Sequence, residues 1–316
     1  MVDTASTREV FGPTLVELGR EDQRIVVLGA DLNKSTTAAL FGQMFPERFF
    51  DMGAAEQNMI SVAAGLAVSG KIPFCNTFAV FGSGRAFDQI RVSVAQPGLN
   101  VKIVVTHAGL LTGEDGMSAQ SIEDLALMLS LPGFNVIVPA DAHEAAEAVR
   151  IAAQTPGPFY IRLSRPATPV IHSAAFRMQF GQAEVMRAGD DATILACGVM
   201  VSRALEAADL LAKQDIRTTV LNVATLAPLD QDAIVRLAKE TGALVTAEEH
   251  FVRGGLNSVV SQVVSRNSPV PVVPVALEGY GESGRPDELL VKYGLTAAKI
   301  VDAVKKAISM KPNSGK

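Results

Sequence analysis

Apolar and polar positions divide this chain into two long blocks, each alternating short apolar runs with longer helix-period segments. In residues 8–165 the runs RIVVLGADL, IPFCNTFA, VKIVVTHAG, NVIVPA and PFYIRLS are rich in β-branched residues and nearly unbroken by charge. Between them lie SVAAGLAVSG, GRAFDQIRVSVAQ, SIEDLALMLSL and DAHEAAEAVRIAAQ, whose apolar positions recur at helical spacing. In the last of these Asp141 stands at the N-cap with Glu144 three residues on, a capping box. Continuous apolar strands alternating with helices predict a parallel sheet covered on both faces.

Proline then thickens in SRPATPVI, and a linker is expected near residues 166–185. A second alternation follows, with strands DATILACG, RTTVLNVATL, GALVTAEEH and PVPVVPVAL. Its helical segments are SRALEAADLLAKQ, DQDAIVRLAKE, GLNSVVSQVVSR and TAAKIVDAVKKAI. The expected fold is therefore α/β, in two consecutive domains with mainly parallel sheets covered by helices, residues 1–175 and 176–316.

Composition narrows the function classes. The chain's 316 residues suffice for two ordinary cores, and 48% apolar with 19% charged residues marks a soluble globular protein. A net charge of −5, without a run of five Lys or Arg, argues against a nucleic-acid partner. No apolar run approaches the roughly 18 residues of a membrane span, and MVDTASTREV lacks a signal core, so the cytoplasm is the expected compartment. Cys75 and Cys197 lie far apart in apolar runs and read as buried thiols.

Most common motifs are missing. There is no G-x-x-x-x-G-K-[ST], no G-x-G-x-x-G and no G-x-S-x-G, and the four histidines share no metal spacing. One stretch invites chemistry instead. DMGAAEQNM sets Glu56 among alanines, a glycine and methionines, where a carboxylate loses hydration and needs a partner or a purpose. The residues alone leave open a helix cap, since AEQN makes a plausible first turn. Phe78 and Phe81, three apart, can line one pocket or belong to the core.

Read with its neighbours, this stretch resembles the pyrimidine-binding half of transketolase, and the likeness covers nearly the whole chain. DMGAAEQNMISVAAGLA is similar to the segment around that family's cofactor-activating glutamate, and NTFAVFGSGRAFDQIR to its aromatic segment. THAGLLTGEDGMSAQSIEDLAL resembles its G-E-D-G loop, and YIRLSRP the strand that ends in a substrate arginine. LNVATLAPLD, VTAEEHFVRGGLNSVV and GESGRPDELLVKYGL resemble its C-terminal domain. Deoxyxylulose-phosphate synthase and the β-subunits of 2-oxo acid dehydrogenases share single motifs of this kind. G-E-D-G together with G-E-S-G and ELLVKYGL favours transketolase.

The resemblance implies a thiamine diphosphate enzyme that transfers a two-carbon ketol unit from a ketose phosphate to an aldose. It implies that Glu56 hydrogen-bonds a pyrimidine ring nitrogen, so that the ring's own amino group becomes the base for the thiazolium proton. Phe81 then stacks on the pyrimidine, with Phe78 beside it. Arg8 in STREV, Ser35 in GADLNKST, His107 and Arg165 fall at a sugar-phosphate site, and His107 joins Glu56 among the catalytic groups. Asp115 falls at a donor hydroxyl. Two positions depart from the family pattern. Gly84 stands where an aromatic is often found, and Ala119 where many members carry a His or Gln that meets the donor, with Gln120 next to it as a substitute. The same likeness admits another thiamine enzyme, deoxyxylulose-phosphate synthase-like or dehydrogenase β-like, or a non-catalytic binding protein on this fold.

A full transketolase begins with a further domain, which holds the diphosphate through Mg²⁺ and is marked by G-D-G and a downstream Asn. The nearest string here is GDD at 189–191 with Asn222, but its third residue is not Gly and an apolar strand follows directly. Met1 and STREV make a natural start. The expectation is the C-terminal subunit of a split transketolase with no metal ligands of its own. A separate N-terminal chain would supply the Mg²⁺ and diphosphate contacts, two of each chain would assemble, and neither nucleic acid nor membrane would be a partner.

Overall fold

The predicted strands of the first block join one sheet. In a computed structural model describing residues 3–312, Ile25–Gly29, Phe49–Asp51, Ile72–Phe78, Lys102–Thr106, Asn135–Ile137 and Phe159–Arg162 all run parallel. Their spatial order is 135–137, 159–162, 102–106, 72–78, 25–29, 49–51, so the winding direction reverses between 25–29 and 72–78. The central strands are buried along their whole length, which is why they read as unbroken apolar runs. Helices Phe11–Glu21, Glu56–Val68 and Ala142–Gln154 cover the two faces.

The second block forms a five-stranded sheet. Val272–Leu277, Leu244–Phe251, Ala192–Ala196 and Thr218–Asn222 are parallel, and Glu184–Arg187 adds an antiparallel edge. Thr225–Ala227 leaves this block and pairs antiparallel with Asn135–Ile137 of the first sheet. One buried apolar core consequently runs from Val26 and Ile60 to Leu221 and Val260.

Polar groups stitch the same boundary. Arg162 Nε donates to Asp124 at 2.9 Å, and Nη2 donates to the carbonyls of Ser121 at 3.1 Å and Glu249 at 3.0 Å. A buried guanidinium loses several kcal/mol of hydration unless its N–H groups find acceptors, and here a carboxylate and two carbonyls meet it. Asp141 caps its helix as predicted, accepting the Glu144 N–H at 2.9 Å, while the Glu144 side chain takes the N–H of Ala140. The other Asp141 oxygen accepts the N–H groups of Ile171 and His172 and so anchors the start of the irregular connection between the sheets.

Two readings gain physical detail. GRAFDQIRVSVAQ is a broken helix, with π turns at Val80–Arg85 and Ile90–Ala95 around a short α turn. Such turns insert an extra residue and re-aim the side chains around them. The GDD string is a turn at a sheet edge, where Asp190 pairs with Arg217 at 2.6 Å and Asp191 accepts the Arg217 N–H at 2.7 Å. Asn222 faces elsewhere and donates to Glu144. Cys75 and Cys197 are buried free thiols. Among the described residues no helix is long and apolar enough to cross a membrane.

Candidate active site

In a parallel α/β sheet, ligands bind outside the carboxyl ends of the strands where the winding reverses. The sequence-predicted residues gather at that edge. Ser35 follows strand Ile25–Gly29, Glu56 follows Phe49–Asp51, Phe78 ends Ile72–Phe78, His107 follows Lys102–Thr106, and Arg165 follows Phe159–Arg162. Arg8 reaches the same edge from the segment before helix Phe11–Glu21 and donates to the Ser35 carbonyl at 3.2 Å.

Glu56 opens helix Glu56–Val68 yet caps nothing: no side chain accepts an N–H at that helix start. Its side chain is only 2% exposed, and both oxygens accept from Nη1 of Arg85, at 3.1 and 3.0 Å. The partner that a desolvated carboxylate needs is a guanidinium from the first π turn, while the place of Glu56 in the first turn of its helix also suits the helix dipole. Phe78 and Phe81 stand 6.1 Å apart with their planes 11° from parallel, and the Arg85 guanidinium lies 4.5 Å from the Phe81 ring centre. Gly84 leaves open space beside the ring wall, with no other side chain of this chain within 4 Å of where its Cβ would stand.

His107 is held in a left-handed conformation, with φ at 58°. A non-glycine residue adopts that region at a cost of about 1 kcal/mol or more, and such strain clusters at functional sites. The surroundings hold it there: its carbonyl accepts from Thr112 Oγ1 at 2.6 Å, and its Nδ1 lies 2.8 Å from Thr106 Oγ1. Its ring stacks on Phe78 with centres 3.7 Å apart. Burial, reinforced by the charges of Arg8 and Arg165, pulls its pKa down to about 3. It is therefore a neutral hydrogen-bonding group at ordinary pH, set between two cations.

Arg165 donates to the Thr112 carbonyl at 2.6 Å and faces Glu114 at 3.4 Å and Asp115 at 3.8 Å. The Arg8 Nε is buried without a partner. Arg8 thus meets the Ser35 carbonyl, Arg165 faces Asp115, both cations act on His107, and the Phe78–His107 stack links them to Phe81.

Gln120, beside Ala119, is turned to the protein interior. It is buried, and its Nε2 donates to the carbonyls of Gly113 at 3.3 Å and Glu282 at 2.9 Å. It therefore clamps the G-E-D-G loop to the G-E-S-G loop. Glycines allow that approach: Gly113 has φ at 77°, and a Cβ on Gly281 would stand 2.4 Å from the Gln120 side chain. The two motifs, far apart in the sequence, dock on each other in the fold, where Ser283 Oγ also donates to the Glu114 carbonyl. Arg85 escaped the sequence reading, although its place four residues after Phe81 puts the two on one helical face.

A family model for the transketolase pyrimidine binding domain matches residues 3–170, and one for the transketolase C-terminal domain matches residues 181–300. A solved split-gene transketolase, described as an inactive beta4 tetramer, superposes with a TM-score of 0.91 at 50% identity, covering 98% of this chain and all of that one. The 6-deoxy-6-sulfo-D-fructose transketolase subunit of Clostridium sp. (strain MSTE9) is 43% identical over 297 residues, 94% of this chain and 92% of that protein. Rattus norvegicus transketolase is 40% identical over 307 residues, which span 96% of this chain but 49% of the rat protein. The chain belongs to the transketolase family, as a subunit that carries the pyrimidine-binding and C-terminal domains.

Proposed function

We propose that this chain is the pyrimidine-side half of a two-chain cytoplasmic transketolase, completed by an N-terminal subunit and acting on phosphorylated sugars. The observation that carries the reading is the nearly enclosed Glu56 carboxylate beside the Phe78–Phe81 wall, with Arg8, His107 and Arg165 grouped next to it. The two structural units are taken as residues 1–175 and 176–316.

Transketolases depend on thiamine diphosphate, which when bound supplies the carbon nucleophile for ketol transfer. The residues here suit its pyrimidine. Glu56 offers a desolvated carboxylate to hold a proton at a ring nitrogen, and Phe81 offers a flat face. For the other end of the cofactor, no cluster of three or more His, Cys, Asp or Glu that could hold a metal occurs among the described residues. We assign the Mg²⁺ and diphosphate contacts to the N-terminal subunit. The complete coverage of the split-gene relative and the inactivity of its beta4 tetramer support that division.

In substrate binding, Arg8 and Arg165 meet the terminal phosphate with Ser35 beside them. Two guanidiniums can each give a charge-assisted bond of about 1.5–3 kcal/mol to such an anion. Neutral His107 donates or accepts near the sugar, and Asp115 takes a sugar hydroxyl. The Clostridium relative favours a second reading in which the terminal anion is a sulfonate, because the same clamp recognises any oxyanion. Turnover with phosphorylated and sulfonated donors side by side separates the two.

The purified chain is expected to bind thiamine diphosphate poorly and to show no ketol transfer, and adding the N-terminal subunit is expected to restore both. Light scattering of the active mixture should give two copies of each chain. Full turnover from this chain alone, with contaminants excluded by mass spectrometry, would end the proposal.

A further inference from the structure

We infer that Arg85 is an internal placeholder for the pyrimidine, occupying both of the cofactor's contacts until the cofactor displaces it. The inference rests on the reading of Glu56 and Phe81 as pyrimidine-binding groups. Two features of the structure carry it. One nitrogen, Nη1, donates to both oxygens of Glu56, at 3.1 and 3.0 Å, and the guanidinium centre lies 4.5 Å from the Phe81 ring centre. A guanidinium is a planar, delocalised group edged with N–H donors, able to lie on an aromatic face while its edge meets a carboxylate. An aminopyrimidine meeting the same carboxylate and the same ring presents the same two features. Both cannot do so at once.

The surroundings make the exchange feasible. The Glu56 side chain is 2% exposed and needs a hydrogen-bond donor there, whereas that of Arg85 is 50% exposed and can swing into water. Its backbone sits at the end of the π turn Val80–Arg85, next to Gly84, where nothing lies within 4 Å of the missing Cβ. No other carboxylate lies within ion-pair distance of Arg85 among the described residues, so its position is set by these two contacts. Before the cofactor arrives, the arginine compensates a buried charge that would otherwise destabilise the subunit. Its displacement then becomes part of the cost of cofactor binding, because only the fraction of molecules with Arg85 swung out can receive the ring.

The test is equilibrium dialysis of thiamine diphosphate, at saturating Mg²⁺ and without sugar, against the assembled two-chain enzyme. Wild type is compared with Arg85→Met, which keeps the aliphatic stem and removes the guanidinium. Removing the placeholder should tighten binding by about three- to tenfold, the range expected for a half-exposed ion pair with a cation–π contact. Arg85→Met binding that is unchanged or weaker overturns the inference, and assigns Arg85 to supporting Glu56 in the loaded site. Glu56→Gln is measured alongside. If it loses affinity while Arg85→Met fails to gain it, the placeholder alone is wrong. If Glu56→Gln binds and turns over like wild type, the cofactor role of Glu56 fails, and the placeholder with it.

Discussion

Replacing Arg165 by Ala distinguishes a phosphate clamp from an ion pair at a strand end, and the structure sets the expected size of the effect. The guanidinium lies 3.4 Å from Glu114 and 3.8 Å from Asp115, with side-chain exposures of 35%, 60% and 41% respectively. Pairs so exposed contribute about 0–1 kcal/mol each, so little opposes their exchange for a phosphate dianion. A charge-assisted bond to that dianion contributes about 1.5–3 kcal/mol. The net loss on deletion is then about 1–3 kcal/mol, or roughly five- to 150-fold in the KM of a phosphorylated acceptor. Turnover at saturation should fall less, because the phosphate end is bound alike in ground and transition states. The variant also loses the 2.6 Å bond to the Thr112 carbonyl, so its Tm should fall by only about 2–4 °C. The assay is steady-state kinetics with a phosphorylated aldose and its dephosphorylated counterpart. Equal losses with both acceptors would show that Arg165 merely braces the Thr112 turn.

Two further outcomes follow from buried charges. Glu56→Gln should fold and assemble normally but turn over about 10²-fold or more slowly at saturating cofactor, since an amide cannot share a proton with a ring nitrogen; wild-type turnover would remove Glu56 from the chemistry. Burial alone would lower the pKa of His172, but its contact with Asp141 and the charges of Glu144 and Asp141 outweigh this and raise it to about 9. Because that value lies above the unfolded one, the contribution of His172 is complete below about pH 6.5 and is lost as pH rises through about 9. Tm measured from pH 6 to 9.5 should fall more steeply for wild type than for His172→Gln, by up to about 3 kcal/mol in stability. Parallel curves would show that His172 carries no proton-linked stability.

Strand and helix order was legible because each central strand is buried on both faces and each covering helix on one. Those two conditions write themselves into composition and period. What the sequence concealed are pairings between segments far apart in the chain. RTTVLNVATL reads as one apolar run, yet the chain breaks it after Asn222 and sends Thr225–Ala227 to the other sheet. No local pattern separates a strand that continues from one that changes sheets, because both must be apolar. Likewise GRAFDQIRVSVAQ has the spacing of a helix, and a π turn differs from an α turn by one residue that hydropathy does not mark.

The candidate site was read from the sequence as a set of residues, and the structure adds the relations between them. Glu56 could be singled out because a lone acid in apolar surroundings breaks a general rule of burial. Its partner could not, since Arg85 on an exposed helical face breaks none, and 29 positions separate the two. Gln120 shows the converse. As a polar neighbour of Ala119 it looked available to substrate, but a side chain's direction is fixed by what it touches, and Gln120 touches Gly113 and Glu282. That contact places the G-E-S-G loop of the second domain directly behind the G-E-D-G loop that carries Asp115. The C-terminal domain, which supplies none of the sequence-predicted site residues, therefore still sets the position of one of them. A substitution at Gly281 should disturb sugar binding through Gln120 while leaving the Glu56 pocket alone, because a Cβ there meets the Gln120 side chain and Leu110, and no residue of that pocket.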